Sequence, residues 1–278
     1  MTATNVSPIT SSPHTTTNST TPPARRTAHP IPTTRLVKVE LRKMFNTRSG
    51  FWLLMSIGVL SVFSAWSVLV FAPDNEVTYY SFARASGFPM SVILPMIAIL
   101  GVTSEWGQRS GLTTFTLVPS RGRVIGAKAI ATLLVGLGSV GVGYAVGAVG
   151  NVAGSALAGV DTVWDISLSM APQMVLYNLV GMAFGFALGV VLRNSAAAIV
   201  GYFVASLVVP GILVLLAQVR SWFADLQPWI DWVYTQEALL EGTTNTGEEW
   251  AMLASTTAIW TVTPLVVGLL SLRRSEVK

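Results

Sequence analysis

The 278 residues are 51% hydrophobic and only 11% charged, with a mean hydropathy of +0.59, whereas a soluble domain carries about 25% charged residues. So little charge cannot cover a soluble fold of this size, and the composition points to a polytopic membrane protein, while a net charge of +4 is too small to suggest nucleic-acid binding. The chain has no cysteine, and its two histidines, His14 and His29, both lie near the N-terminus, which excludes disulfides, thiolate metal sites, cysteine nucleophiles and histidine-based triads. No catalytic residue, metal ligand or cofactor-binding residue is expected in this chain.

Residues 1–33 are rich in Thr, Ser, Pro and Asn. Such a segment buries too little apolar surface to offset its ordering entropy, so it reads as a disordered tail. It also lacks the apolar run of a signal peptide. Thr34 to Arg48, TRLVKVELRKMFNTR, is different. Val37, Leu41, Met44 and Phe45 fall at i, i+4, i+7 and i+8, one stripe of a helix, with Arg35, Lys38, Arg42 and Lys43 off it. A basic amphipathic helix beside a span is expected in the membrane interface, its basic face toward anionic headgroups or a cytosolic partner.

Six apolar runs follow, roughly Phe51–Phe71, Pro89–Trp106, Val124–Val149, Met170–Leu192, Ala196–Gln218 and Trp250–Leu272. Each approaches the ~20 residues that cross a hydrocarbon core. The fourth and fifth are joined only by Arg193 to Ala196, a tight helical hairpin. Together they define an all-α, six-helix transmembrane domain over residues 34–272, followed by a short C-terminal tail, 273–278.

Orientation follows from the basic residues. With the N-terminus in the cytosol, the inner segments hold all the Lys and Arg except Arg84 and Arg220. The outer ones hold most of the acids, from Asp74 and Glu76 to Glu248 and Glu249. Both termini are therefore expected to be cytosolic. The outer segment before the last run carries Trp222, Phe223, Trp229, Trp232 and Tyr234, a density typical of a membrane–water interface. It reads as short helices lying in the outer leaflet, either an anchored surface loop or a re-entrant gate.

The runs hold almost no ionisable residues. Intramembrane carboxylates and basic groups mark proton relays and ion-coupled sites, so a proton- or sodium-coupled transporter is disfavoured. Energy must come from elsewhere, and the nearest string to a P-loop, Gly122 to Lys128, has the wrong spacing. If ATP is used, another chain binds it. Gly181, Gly185 and Gly189 place small residues on one face of the fourth run, and Gly143 and Gly147 do so on the third, where backbones approach closely. Packing within one subunit is favoured over a homodimer seam.

Between the second and third runs lies SEWGQRSGLTTFTLVPSRGRVIGAK, Ser104 to Lys128. Glu105 and Trp106 end the second run. Gln108 to Val118 reads as a short cytosolic helix with Leu112 and Phe115 on one face. Pro119 stops it, and Ser120 is placed to cap the next helix. Arg121 and Arg123 form a basic first turn, and Lys128 is expected to snorkel to the inner interface. Topology accounts for the basic residues but not for the apolar face or the proline corner. A rigid knob joined to two spans can transmit a push from a soluble partner.

This segment resembles the inner loop of type-2 ATP-binding-cassette exporter permeases, especially the actinobacterial six-span kind. Glu105, Arg109, Thr113, Pro119, Arg121 and Lys128 match the family pattern, while Gly111-Leu112 departs from the Gly-Thr of many members. VELRKMFNTRSGFW is similar to the family's entry helix and first span, and the resemblance extends over about residues 34 to 272. It implies six helices per half, paired two and two with separate nucleotide-binding subunits that bind ATP and Mg. It also implies that the entry helix (Val37, Lys38, Leu41, Arg42, Lys43, Met44, Phe45) and the loop (Glu105, Arg109, Gly111, Leu112, Thr113, Phe115, Pro119, Ser120, Arg121, Lys128) contact the ATPase. The loop around Trp222, Phe223, Trp229 and Trp232 would form short re-entrant helices near the exit. The expected function is that of a cytoplasmic-membrane permease exporting an amphipathic drug, peptide or lipid. The competing reading is a non-transporting scaffold or sensor with the same topology.

Overall fold

A computed structural model describes residues 32–107 and 121–274. These residues are helical apart from short connections, with a single isolated bridge, Thr78 to Val163, and no strand among them. An entry helix, α1 (Thr33–Asn46), leads into α2 (Arg48–Phe71), α3 (Tyr79–Gly107), α4 (Arg121–Ala158) and α5 (Met170–Leu192). The fifth long helix, α6 (Ser195–Val219), is followed by two short ones, α7 (Ser221–Ile230) and α8 (Trp232–Glu241). The last, α9, runs continuously through Gly247–Thr257, Ala258–Val262 and Thr263–Arg274. Among the described residues, α2 to α6 and α9 are the six helices long and apolar enough to cross a membrane.

Two helices exceed the apolar runs that announce them. α3 begins at Tyr79, ten residues before Pro89, and takes both Pro89 and Pro95 into its interior. α4 extends to Ala158, and its 38 residues span about 57 Å at 1.5 Å per residue. Hydropathy marks only the part of a helix that faces hydrocarbon, so polar ends go unseen. The tight hairpin between the fourth and fifth spans is present as expected. Arg193 takes the left-handed conformation (φ 51°), and the Asn194 side chain accepts from the Ala197 N–H at 3.0 Å, capping α6.

The prolines dictate local repairs. Pro95 has no N–H, so the Ser91 carbonyl loses its helical donor. An unpaired carbonyl in hydrocarbon is costly, and the Tyr202 hydroxyl of α6 donates to it at 2.9 Å. In α6 and α9 the helix instead widens into one π-helical turn, Val204–Val208 before Pro210 and Ala258–Val262 before Pro264. The Thr263 hydroxyl also donates to the Ala258 carbonyl at 2.8 Å.

α3 is the hub. Met90, Leu94, Ala98 and Val102 are essentially inaccessible and pack with Ile57 of α2, Ala131 and Val135 of α4 and Met182 and Val190 of α5. On its other side Ile99 joins Phe184, Ala198, Tyr202 and Trp232. α2 and α6 are mostly exposed along apolar faces that include Trp52, Phe63, Trp66, Val200, Leu207 and Leu215, as lipid-facing helices are.

The glycines of α5 show how closely the helices approach. A Cβ added to Gly185 would lie 2.7 Å from the Pro95 carbonyl oxygen and 2.9 Å from its Cα. At Gly189 it would meet the Ile99 carbonyl oxygen at 3.3 Å. The Gly185–Gly189 face is thus a seam inside the subunit, whereas Gly181 faces Trp232 and Tyr202 with room to spare, at 3.8 and 3.9 Å. Gly185→Ala is expected to lower the thermal unfolding midpoint of the detergent-solubilised chain, an overpacking loss of about 1–3 kcal/mol. Gly181→Ala should leave it nearly unchanged. Equal midpoints for the two variants would contradict this seam.

Candidate functional site

The chain enters its first span through a one-residue elbow. Thr47 (φ −84°, ψ 140°) separates α1 from α2, and its hydroxyl accepts from the Gly50 N–H at 3.2 Å. Its own N–H donates to the Lys43 carbonyl at 3.1 Å, closing α1. A Cβ on Gly50 would overlap the Met44 carbonyl, so the bend requires glycine there. The angle between entry helix and span is therefore set by covalent and hydrogen-bond geometry.

α1 packs on the spans through Val37, Leu41 and Met44, as the stripe predicts. Lys38, Arg42 and Lys43 are exposed. Phe45, assigned to the same stripe, is 54% exposed, because the contact face turns toward Leu36, Glu40 and Met44, spaced four apart. The surprise is Glu40, an acid on the buried face at only 7% exposure.

Glu40 is held by two ammonium groups. Lys128 Nζ of α4 donates to Glu40 Oε2 at 2.8 Å, and Lys43 Nζ donates to Oε1 at 2.8 Å. Lys128 Nζ also donates to the Gly101 carbonyl of α3 at 3.0 Å. Met44 covers the same spot, since a Cβ on Gly101 would fall 2.8 Å from Met44 Cε. One ion pair thus joins α1, α3 and α4. A cavity of about 320 Å³ lies beside it, lined in part by Thr47, Ser104 and Ser195.

The expectation that Lys128 snorkels to the interface is corrected here: the side chain is 2% exposed. α4 already begins at Arg121, so Lys128 stands about two turns inside the helix. Glu40 meets it there, and an ammonium withdrawn from water keeps its charge only beside such a partner. Two signals in the sequence pointed to this: a lysine inside the third apolar run, and an acid at the i+4 position between Leu36 and Met44. The outward part of the junction is weak, since Lys43 is half exposed and screened.

Neighbouring polar contacts close the same end of the bundle. The Thr103 and Ser195 hydroxyls lie 2.7 Å apart between α3 and α6, and Arg193 donates to Ser271 Oγ of α9 at 2.8 Å. The loop residues Arg109, Gly111, Leu112, Thr113, Phe115, Pro119 and Ser120 lie outside the described residues. Of the loop's flanks, Glu105 belongs to the last turns of α3 and Arg121 opens α4.

At the opposite end, the aromatic segment forms the two short helices α7 and α8. Its four singled-out aromatics differ in environment. Trp222 is exposed and meets Phe223 edge to face at 5.5 Å, and Trp229 is half-buried. Trp232, expected among interface aromatics, is instead a core residue, 5% exposed with its ring 4.9 Å from Phe184. The Asp231 carboxylate fixes it there by accepting from the Val233 and Tyr234 N–H groups at the start of α8. Arg84 of α3 pairs with Glu237 of α8 at 3.2 Å.

The family model of the ABC-2 family transporter proteins matches residues 10–277 of this chain. No curated protein sequence matches it.

Removing Lys128 leaves the buried Glu40 carboxylate with the half-exposed, screened Lys43 in place of its buried partner. Lys128→Met is expected to destabilise the solubilised chain by about 3–5 kcal/mol, with most of the loss recovered in Glu40→Leu/Lys128→Met. Thermal unfolding of both variants measures this. A neutral single substitution would show that the pair does not hold α1 in place.

Proposed function

The chain belongs to the ABC-2 family of transporter proteins, and on that footing we propose that it is the permease subunit of an ATP-binding-cassette exporter of the cytoplasmic membrane. ATP is bound with Mg and hydrolysed by a separate nucleotide-binding subunit. Two permease copies, identical or related, assemble with two such subunits. Both termini face the cytosol, because the Lys and Arg residues cluster at the ends of the spans on that side. Its cargo is an amphipathic drug, peptide or lipid.

The observation that carries this reading is the Glu40–Lys128 pair. It fastens the entry helix to α3 and α4, the helices on either side of residues 108–120. A push on that loop or on α1 from the cytosol therefore moves one joined body. Without the pair, the hold of α1 on the bundle beyond the elbow would fall to apolar contacts such as those of Val37, Leu41 and Met44. Supporting this, the elbow at Thr47 and Gly50 transmits a displacement of α1 to α2.

Co-purification tests the assignment: an ATP-binding-cassette subunit should accompany the tagged full chain in mild detergent. In the reconstituted complex, Arg121→Glu or Phe115→Ala should leave membrane insertion intact and lower transport-coupled ATPase activity at least several-fold. If no such subunit associates, the chain is a scaffold or sensor instead. Unaltered coupling in both variants would remove the loop from the mechanism.

A further inference from the structure

We propose that a groove between α1, α2 and α4 holds an acyl chain of an anionic glycerophospholipid of the inner leaflet, its phosphate bound by Lys38, Arg42 and Arg48. The inner-leaflet placement rests on the cytosolic N-terminus of the permease reading.

The groove measures about 810 Å³. Leu41 and Phe45 form its α1 side, and Met55, Val62, Leu134 and Val142 are among its walls from α2 and α4. No charged side chain lines it, and Ser139 brings its one hydroxyl. Phe45, turned away from the packed face of α1, borders this groove. Gly58 and Gly138 lie in the same lining. A Cβ added to either meets nothing within 4 Å, whereas one on Gly185 or Gly189 meets the backbone of α3. Packing within the chain therefore does not call for glycine at these two positions, and its effect there is to deepen the groove.

The length of the groove matches one leaflet. It follows α2 from Leu54 to Val62 and α4 from Leu134 to Val146, about 12 and 18 Å at 1.5 Å per residue. Half of a ~30 Å hydrocarbon core is about 15 Å. A helix of a second copy would need a contact that continued along α2 past Val62, where the groove stops.

Charge selects the headgroup. Lys38 precedes Leu41 by three residues and Arg42 precedes Phe45 by three, neighbouring positions on a helix surface. Arg48 precedes Met55 by seven, on the same face of α2. All three are exposed. They stand beyond the α1 end of the groove, at the level where long basic side chains reach lipid phosphates. The only acid on α1, α2 or α4 is Glu40, which faces the bundle and is held by Lys128. Nothing on these helices offsets the three cations at that end, and an anionic headgroup complements them.

Native mass spectrometry of the full chain released from detergent micelles reads the lipid it retains. With dioleoylphosphatidylglycerol and dioleoylphosphatidylcholine supplied equally, the anionic lipid should be retained about tenfold over the zwitterionic one. Lys38→Gln and Arg42→Gln should each lower its retention about fivefold. Gly58→Leu and Gly138→Leu, which fill the groove, should each lower it about tenfold. Their thermal unfolding midpoints should not fall, because leucine favours helix over glycine. Equal retention of the two lipids, or unchanged retention in both leucine variants, would overturn the site. Loss of a two-chain species in those variants with lipid retention unchanged would give the groove to a second copy, and overturn it too. Should a leucine variant unfold, unchanged retention in both glutamine variants is the overturning result. Every readout uses the chain alone, so failure here leaves the permease assignment to the co-purification result.

Discussion

Lipid tails are as apolar as leucine, so helices in a bilayer gain nothing by hiding hydrophobic side chains from them. Close fit must supply the adhesion, and in this protein the fit converges on α3. Gly185 and Gly189 bring α5 to van der Waals distance of the Pro95 and Ile99 backbone. Gly268 of α9 approaches α5 just as closely, near Val190 and Val191. The same rule explains the repairs around proline. The bond lost at Pro95 is taken over by a neighbour, Tyr202 donating to Ser91, and Pro210 and Pro264 each follow a widened turn.

On that packed frame the two ends of the bundle carry different chemistry. One end is joined by charge: Glu40 and Lys128 draw the entry helix onto α3 and α4, and Thr47 fixes its angle to α2. The other end is built from short helices, whose caps at Asp231 and Thr246 hold Trp232 and the start of α9 in register. α3 joins the two ends: it packs against α2, α4, α5 and α6 and carries both the Gly101 carbonyl and Arg84.

Much of this was legible in the residues. Composition and run length announced six crossings, and the basic amphipathic pattern announced α1 with Val37, Leu41 and Met44 packed on the spans. Arg193-Asn194 announced the hairpin, and GxxxG spacing announced the seam on α5. What escaped were pairings between residues far apart in the chain. Glu40 and Lys128 are 88 positions apart, and neither residue's local setting names the other as its partner. Trp232 reads as an interface aromatic until Phe184 is known to face it.

The sequence by itself determined the class, the number of spans and the family resemblance, because hydrocarbon thickness and backbone hydrogen bonding leave an apolar chain few choices. Tertiary structure alone decided which charge is buried, which glycine is a contact and which aromatic belongs to the core. These depend on distances between helices, set by the shapes of both partners, and no single stretch of sequence contains both.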